Sequence, residues 1–263
     1  MLEFASSMCD CALGCKIEQY VAELTELLGN DLLGVYLYGS LARGCYHAGT
    51  SDVDAIVVTR SHCEQLDESG LLQIHRNVGV PVDAVFVAES QIGADTFPTP
   101  VVCLVKPIGE YKIVHPTEGS RDFLLQRQDL YEAGIALAGP QPRDLLCPVP
   151  WPLLAESLDF LFPHIVTNFK NPVLMLCRIA YAWTYHELCS KKSAGEWAAE
   201  AFDTQWSQLI TTALAEYAQG VTKSSIAPAA LHAFEDFCTG HIDRMRGCRF
   251  SDSSDLIRED RDR

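Results

Sequence analysis

The stretch LYGSLARGCYHAGTSDVDAIVV, residues 37–58, constrains this chain more than any other. An apolar, β-rich run, LLGVYLY at 32–38, stops at Gly39 and Ser40, and a polar loop follows. A second β-rich run, VDAIVVT at 53–59, then begins with Asp52 and Asp54 at its head. Side chains two apart on a strand share a face and lie roughly 7 Å apart, so the two carboxylates converge on one place. Such oxygen ligands suit magnesium, and a pair of ions about 4 Å apart clamps the attacking and leaving oxygens of a phosphoryl displacement. Gly39 lets the backbone approach a phosphate, and Ser40 adds a hydroxyl and the N–H groups of a short helix start. Either half of this pattern is common as a surface turn. The two together point to a triphosphate cradle beside a metal cluster.

A third carboxylate belongs with them. PVDAVFVA at 81–88 is a further strand, bounded by Gly79 and Pro81, and Asp83 sits inside its apolar run. A charge there is costly unless it is paired or metal-bound. The plain alternative is an edge-strand charge facing solvent. Placed on a strand beside Asp52 and Asp54, Asp83 either completes the metal cluster or acts as general base on an incoming hydroxyl.

The remaining pattern sets the architecture. Residues 16–28 carry an apolar stripe at helical spacing, and 62–76 and 119–137 also read as helices. VVCLV at 101–105 and EYKIV at 110–114 are short strands at the edge of the same sheet. GPQPRDLLCPVPWP, 139–152, holds five prolines and is the candidate linker. Beyond it, 152–162, 172–189, 193–202, 204–219 and 226–247 all have helical period, and Trp183, Trp197 and Trp206 fall at their apolar positions as core. The expected fold is α+β: an N-terminal domain with a mixed twisted sheet over residues 1–145, then an all-helical domain over 146–250. Residues 251–263 are polar and charged and predict a disordered tail.

Charge and cysteines narrow the function classes. With 20 Lys and Arg against 35 Asp and Glu, the net charge of −15 repels phosphate backbones and attracts a cationic small substrate. No nucleic-acid partner is expected. No apolar run reaches the 18 residues of a membrane span, and the N-terminus lacks a targeting pattern, so the expected location is the cytoplasm, as a monomer. Eleven scattered cysteines imply reduced core thiols. Cys9, Cys11 and Cys15 are read as structural thiols, since no second paired-cysteine knuckle follows to hold zinc.

Gly-Ser, a spacer, Asp-x-Asp and a later acidic residue resemble the nucleotidyltransferase superfamily. The second half narrows the likeness. NPVLMLCRIAYAW (171–183), SKKSAGEWAAE (190–200) and LAEYAQG (214–220) resemble the helical domain of the aminoglycoside adenylyltransferases that modify streptomycin and spectinomycin. LAGP at 137–140 also fits that family's domain junction. The resemblance implies that Arg178, Lys191 and Tyr217 hold the ATP triphosphate from the helical side. Their plainer roles are a surface salt bridge, a solvated lysine and a core or rim phenol. His47, in the loop before Asp52, either borders the nucleotide or is a solvated loop histidine.

Two departures stand out. Asp83 occupies the place where the family usually has glutamate as the base. An acidic pair that meets the aminocyclitol is replaced by Asn168-Phe169-Lys170-Asn171. Asn168 hydrogen-bonds a substrate but does not pair with a cation as a carboxylate would.

The expected activity is transfer of AMP from ATP, with two magnesium ions, to a hydroxyl of an aminoglycoside or aminocyclitol antibiotic. Asp52, Asp54 and Asp83 form the catalytic cluster, Gly39 and Ser40 cradle the nucleotide, and the active site is expected between the two domains. Two alternatives are transfer to a protein or RNA, and a catalytically silent nucleotide-binding or antitoxin-like module.

Overall fold

The computed structural model describes residues 11–61, 66–221 and 224–247. Cys9 of the N-terminal cysteine cluster and the tail at 251–263 lie outside the described residues. The chain divides into two compact units: the first runs to Ser157 without His47–Thr50, and the second comprises His47–Thr50 and the chain from Leu158.

In the first unit, six strands form one sheet: β1 (Leu32–Tyr38), β2 (Val53–Thr59), β3 (Val82–Ala88), β4 (Cys103–Ile108), β5 (Glu110–Val114) and β6 (Ile135–Ala138). Their order is β5-β4-β3-β2-β1-β6. β2 and β3 run parallel and every other pair is antiparallel. The helices are α1 (Cys11–Leu28), the short α2 (Gly39–Ala42), α3 (Glu68–Asn77), the short α4 (Glu89–Ile92), α5 (Phe123–Ala133), the short α6 (Pro142–Leu145) and α7 (Trp151–Leu161), which crosses into the second unit.

Strand alternation builds two cores on the two faces of this sheet. Val35, Leu37, Val53, Ala55, Val57, Val82, Ala84 and Phe86 pack with Ile17, Tyr20, Leu24, Leu71 and Ile74 from α1 and α3. Tyr36, Tyr38, Ile56, Val58, Val85 and Val87 pack on the opposite side with Phe123 and Leu130 of α5. The same period assigns Asp54 and Asp83 to the α5 face, at the starting ends of β2 and β3.

Several elements differ from the sequence expectation. α1 already covers residues 11–15 ahead of the expected start at 16, and Leu13, one turn ahead of Ile17, belongs to the same core stripe. α3 begins at Glu68, with the Asp67 side chain accepting from the Gly70 N–H at 3.0 Å as its N-cap. β4 is displaced to 103–108 and includes Pro107; it pairs with β3 only over 103–105, so the missing proline N–H takes nothing from that ladder.

The helix expected over 119–137 covers only 123–133. Gly134 follows it, and Ile135–Ala138 pair with β1 as the sixth strand. Residues such as IALA carry weak local preference, and an available strand edge decides their state.

The second unit contains α8 (Ile165–Asn168), α9 (Pro172–Tyr185), α10 (Lys191–Ala201), α11 (Thr204–Ala218) and α12 (Pro228–Gly247). α9 packs on α10, α11 and α12, as expected of an all-helical unit. α9 stops at Tyr185, where His186 turns left-handed with φ 57°. Trp197 stacks edge-on to Tyr181, Tyr185 and Phe202, Trp206 packs on Phe234 and Phe237, and Trp183 lies under the Arg246 guanidinium at 4.9 Å. Among the described residues, Cys15, Cys45, Cys103, Cys147, Cys177, Cys189 and Cys238 take part in no disulfide. Among the described residues no helix is long and apolar enough to cross a membrane.

His75 in the α1/α3 core gives the first unit a pH signature. Its Nε2 is 3.0 Å from the Tyr20 hydroxyl and its Nδ1 2.9 Å from the Leu71 carbonyl, so a neutral ring satisfies both. Burial lowers the imidazole to about 4, against about 6.5 in an unfolded chain. Between those values only the unfolded chain takes up the proton. Stability is therefore fully present above pH 6.5 and drains away as pH falls toward 4. Chemical denaturation at pH 7 and pH 4.5 is expected to show His75→Gln losing roughly 2 kcal/mol less than the parent protein over that drop. Equal losses in the two proteins would acquit His75.

Candidate active site

Register sets two of the three carboxylates side by side. Asp54 on β2 stands opposite Asp83 on β3 in the parallel ladder, and Tyr38, the last residue of β1, stands opposite Asp54. Asp52 lies one residue before β2 and acts electrostatically on Asp83. The buried Tyr38 phenol reads the cluster out: burial raises its pKa, and Asp54, Asp83, Asp129 and Asp122 raise it further in that order. Tyr111 secures the approach to β3, its hydroxyl donating to the Val80 carbonyl at 3.0 Å and accepting from the Val82 N–H at 2.9 Å.

Gly39 is glycine for a steric reason. Its φ is +69°, and a Cβ built there would stand 2.0 Å from Asp54 Oδ2. The close approach expected toward a phosphate is thus made first toward the carboxylate. Its N–H is also committed, donating to Asp129 Oδ2 at 2.8 Å. Asp129, on α5 and nearly fully buried, accepts in addition from Arg43 Nε at 2.7 Å. The Arg43 guanidinium extends to Glu132 at 2.6 Å. Burial works against the Arg43 charge, but Asp129 and Glu132 outweigh it and raise its pKa. The turn is therefore fixed from beneath by a carboxylate that occupies the seat a phosphate oxygen would otherwise take at Gly39.

Asp83 has a partner that the sequence pattern did not reveal. Lys106 Nζ on β4 donates to Asp83 Oδ1 at 2.7 Å and to Oδ2 at 3.0 Å. Burial raises the Asp83 carboxyl above its ordinary value; Lys106 pulls it down, and Asp52 and Asp122 push it up. The charge inside VDAVFV is thus paired, one of the two conditions that its burial demanded. Lys106, Asp129 and Arg43 all went unnoticed in the sequence. Lys106 is visible only once the β3/β4 register is known, and Asp129 only once α5 is laid across the sheet.

The donor set fits magnesium. That ion is typically held by one or two carboxylates with the remaining ligands from substrate phosphates and water. Asp52 and Asp54 supply such a pair. No group of three or more His, Cys, Asp or Glu suited to a metal occurs among the described residues.

In the second unit, Arg178 lies on α9, Lys191 opens α10 behind its N-cap Ser190, and Tyr217 lies on α11, so the three stand on mutually packed helices. Within this unit the His47 ring meets the Tyr217 ring edge-on, centroids 5.0 Å apart. Lys170 Nζ donates to the Thr50 carbonyl at 3.4 Å. Asn168 is exposed at the end of α8.

A mixed sheet carrying a Gly-Ser turn against an in-register carboxylate cluster defines a nucleotidyltransferase. The nucleotidyltransferase domain model matches residues 15–102, and the model for the C-terminal domain of aminoglycoside adenylyltransferases matches 150–240. Among curated proteins, the chain is 22% identical over 221 residues to spectinomycin 9-adenylyltransferase of Campylobacter jejuni, covering 77% of this chain and 84% of that protein. It is 25% identical over 256 residues to aminoglycoside (3'')(9) adenylyltransferase of Escherichia coli, covering 88% and 95%. Its fold matches the crystal structure of spectinomycin adenyltransferase AAD(9) from Enterococcus faecialis with ATP and spectinomycin. That match has a TM-score of 0.70 at 15% identity and covers 87% of this chain and 98% of that one. These matches support an aminoglycoside nucleotidyltransferase of the aminoglycoside adenylyltransferase family.

The Gly39 contact yields a paired test. Gly39→Ala forces a methyl into Asp54 and is expected to cut pyrophosphate release more than 100-fold, with a stability cost of about 1–2 kcal/mol for the left-handed backbone. Gly44, at φ +68° with open space around its Cβ position, is the control. Gly44→Ala is expected to carry a similar strain and keep turnover within threefold. Equal turnover in the two variants would show that Asp54 has room to move.

Proposed function

We propose that this chain transfers AMP from ATP to a hydroxyl of an aminoglycoside or aminocyclitol antibiotic of the spectinomycin and streptomycin type, releases pyrophosphate and so confers resistance. The observation that carries this reading is the in-register pair Asp54 and Asp83 with Asp52 at the head of the same strand. Family membership names the class of acceptor, the relatives at 22–26% identity being spectinomycin and aminoglycoside adenylyltransferases.

Asp52 and Asp54 are the residues to hold magnesium, in company with the triphosphate. Magnesium, when bound, neutralises the phosphate charge and orients the α-phosphate for in-line attack. Ser40 and the following N–H groups of α2 take the phosphate oxygens. Asp83 accepts the acceptor's hydroxyl proton as that oxygen bonds to the α-phosphorus. The bond to the β-phosphate oxygen breaks, and pyrophosphate leaves with the electron pair. Arg178, Lys191 and Tyr217 are assigned to the triphosphate and to this leaving group. Asn168 is assigned to the acceptor. Net charge of −15 favours arrival of a cationic acceptor.

Pyrophosphate release with Mg-ATP and a panel of aminoglycosides tests the reading directly. Asp52→Asn or Asp54→Asn is expected to abolish release with folding intact, since each removes a metal-binding charge. Turnover like that of the parent protein in either variant at saturating magnesium sinks the carboxylate cluster. Spectinomycin is expected to be modified better than streptomycin, whose guanidinium groups meet Asn168 rather than a carboxylate. Efficient modification of streptomycin with none of spectinomycin reverses that assignment. Asp83→Asn is expected to lose roughly 100-fold to 10000-fold in turnover, the usual worth of a general base. Undiminished turnover in that variant removes Asp83 from the reaction.

A further inference from the structure

Lys106 has no task in the scheme above, yet its ammonium binds both oxygens of the proposed base at 2.7 and 3.0 Å. We propose that Lys106 is a positioning residue that draws Asp83 away from the metal-binding pair and reserves it for the acceptor hydroxyl. This rests on the proposed role of Asp83 as base.

Strand order supplies the direction of the pull. β3 lies between β2 and β4, and adjacent strands are about 4.8 Å apart. Asp54, opposite Asp83, belongs to β2, whereas Lys106 belongs to β4, one residue along from the Ala84–Val105 pair. The Asp83 carboxylate is thus drawn toward the β4 side of its own strand, and Asp52 and Asp54 stand on the other. An aspartate is short enough that this choice of side decides what it can reach.

Charge and valence agree with that geometry. A divalent ion that took Asp83 as a ligand would have to approach an ammonium already bound to both its oxygens, and the two cations repel. A carboxylate offers about four lone-pair sites. Lys106 uses two, so a place is left for a hydroxyl proton. The pair is also half-open, with side chains 21% and 23% exposed. Lys106 is therefore not needed to fill a core.

Removing the ammonium while keeping the stem, in Lys106→Met, frees Asp83 to swing toward β2. The expected signature has two opposite signs: kcat falls 10-fold to 100-fold, while Mg-ATP, titrated calorimetrically without acceptor, binds threefold or more tighter. Lys106→Arg, which keeps a cation on both oxygens, is expected to retain at least a third of kcat and the parent affinity. Adding Asp83→Asn to Lys106→Met returns Mg-ATP affinity to the parent value, because no carboxylate remains to swing. A cross-strand ion pair with only a structural role lowers the melting temperature without tightening Mg-ATP.

Unchanged or weaker Mg-ATP binding by Lys106→Met overturns the inference, and so does unchanged kcat. Failure of the parent protein to modify any acceptor strikes the proposed function instead. The calorimetric arm still decides the place of Lys106 in that case.

Discussion

The Asp54 carboxylate lies against the backbone of Gly39 with no room for a side chain between them. That contact ties the exit of β1 to the entrance of β2, because Tyr38 and Asp54 face each other in the ladder. Whatever enters the turn, its geometry is already set by the protein. The sheet fixes Asp54, Asp54 fixes the glycine, and the glycine sets the start of α2. Asp129 completes the arrangement from below by taking the Gly39 N–H. Such a turn needs little reorganisation when a charged ligand arrives, the condition under which oriented donors and charges act most strongly.

This arrangement also explains why a chain with so many acidic groups tolerates several more in one place. Arg43 answers Asp129 and Glu132, and Lys106 answers Asp83. Breaking either pair strands a partly or fully buried charge, which costs more than the pair contributes when intact. Pairing within the site thus answers the charges of Asp83, Asp129 and Glu132 with those of Lys106 and Arg43.

Much of the fold was legible because its signals are local. VDAIVVT and VDAVFVA are apolar runs with turn residues at their ends, and the helices of the second unit have strong 3.6-residue period. IALA was misread as a helix end because four small and medium apolar residues carry no period, and the β1 edge that recruits them lies about a hundred residues upstream. The carboxylates at Asp52, Asp54 and Asp83 were readable from spacing. Their partners were not, since Lys106 and Asp129 are separated from the residues they hold by 23 and 90 positions. Long-range ion pairs leave no mark in a local pattern. Gly39 was recognised as necessary, but for the approach of a ligand rather than for the approach of Asp54.

Asn168 differs from all of these in its setting. It ends a four-residue helix, exposed, and it supports no ladder and fills no core. Asp54 and Asp83 are held by strand pairing, and Asp83 by a partly buried ion pair as well, where most substitutions are penalised. A residue at an exposed helix end is replaced at almost no cost to folding. On the roles proposed, drug range and reaction chemistry thus evolve at different rates in one chain. A lineage under pressure from a new antibiotic explores acceptors by drift around Asn168 while the phosphoryl chemistry is inherited unaltered.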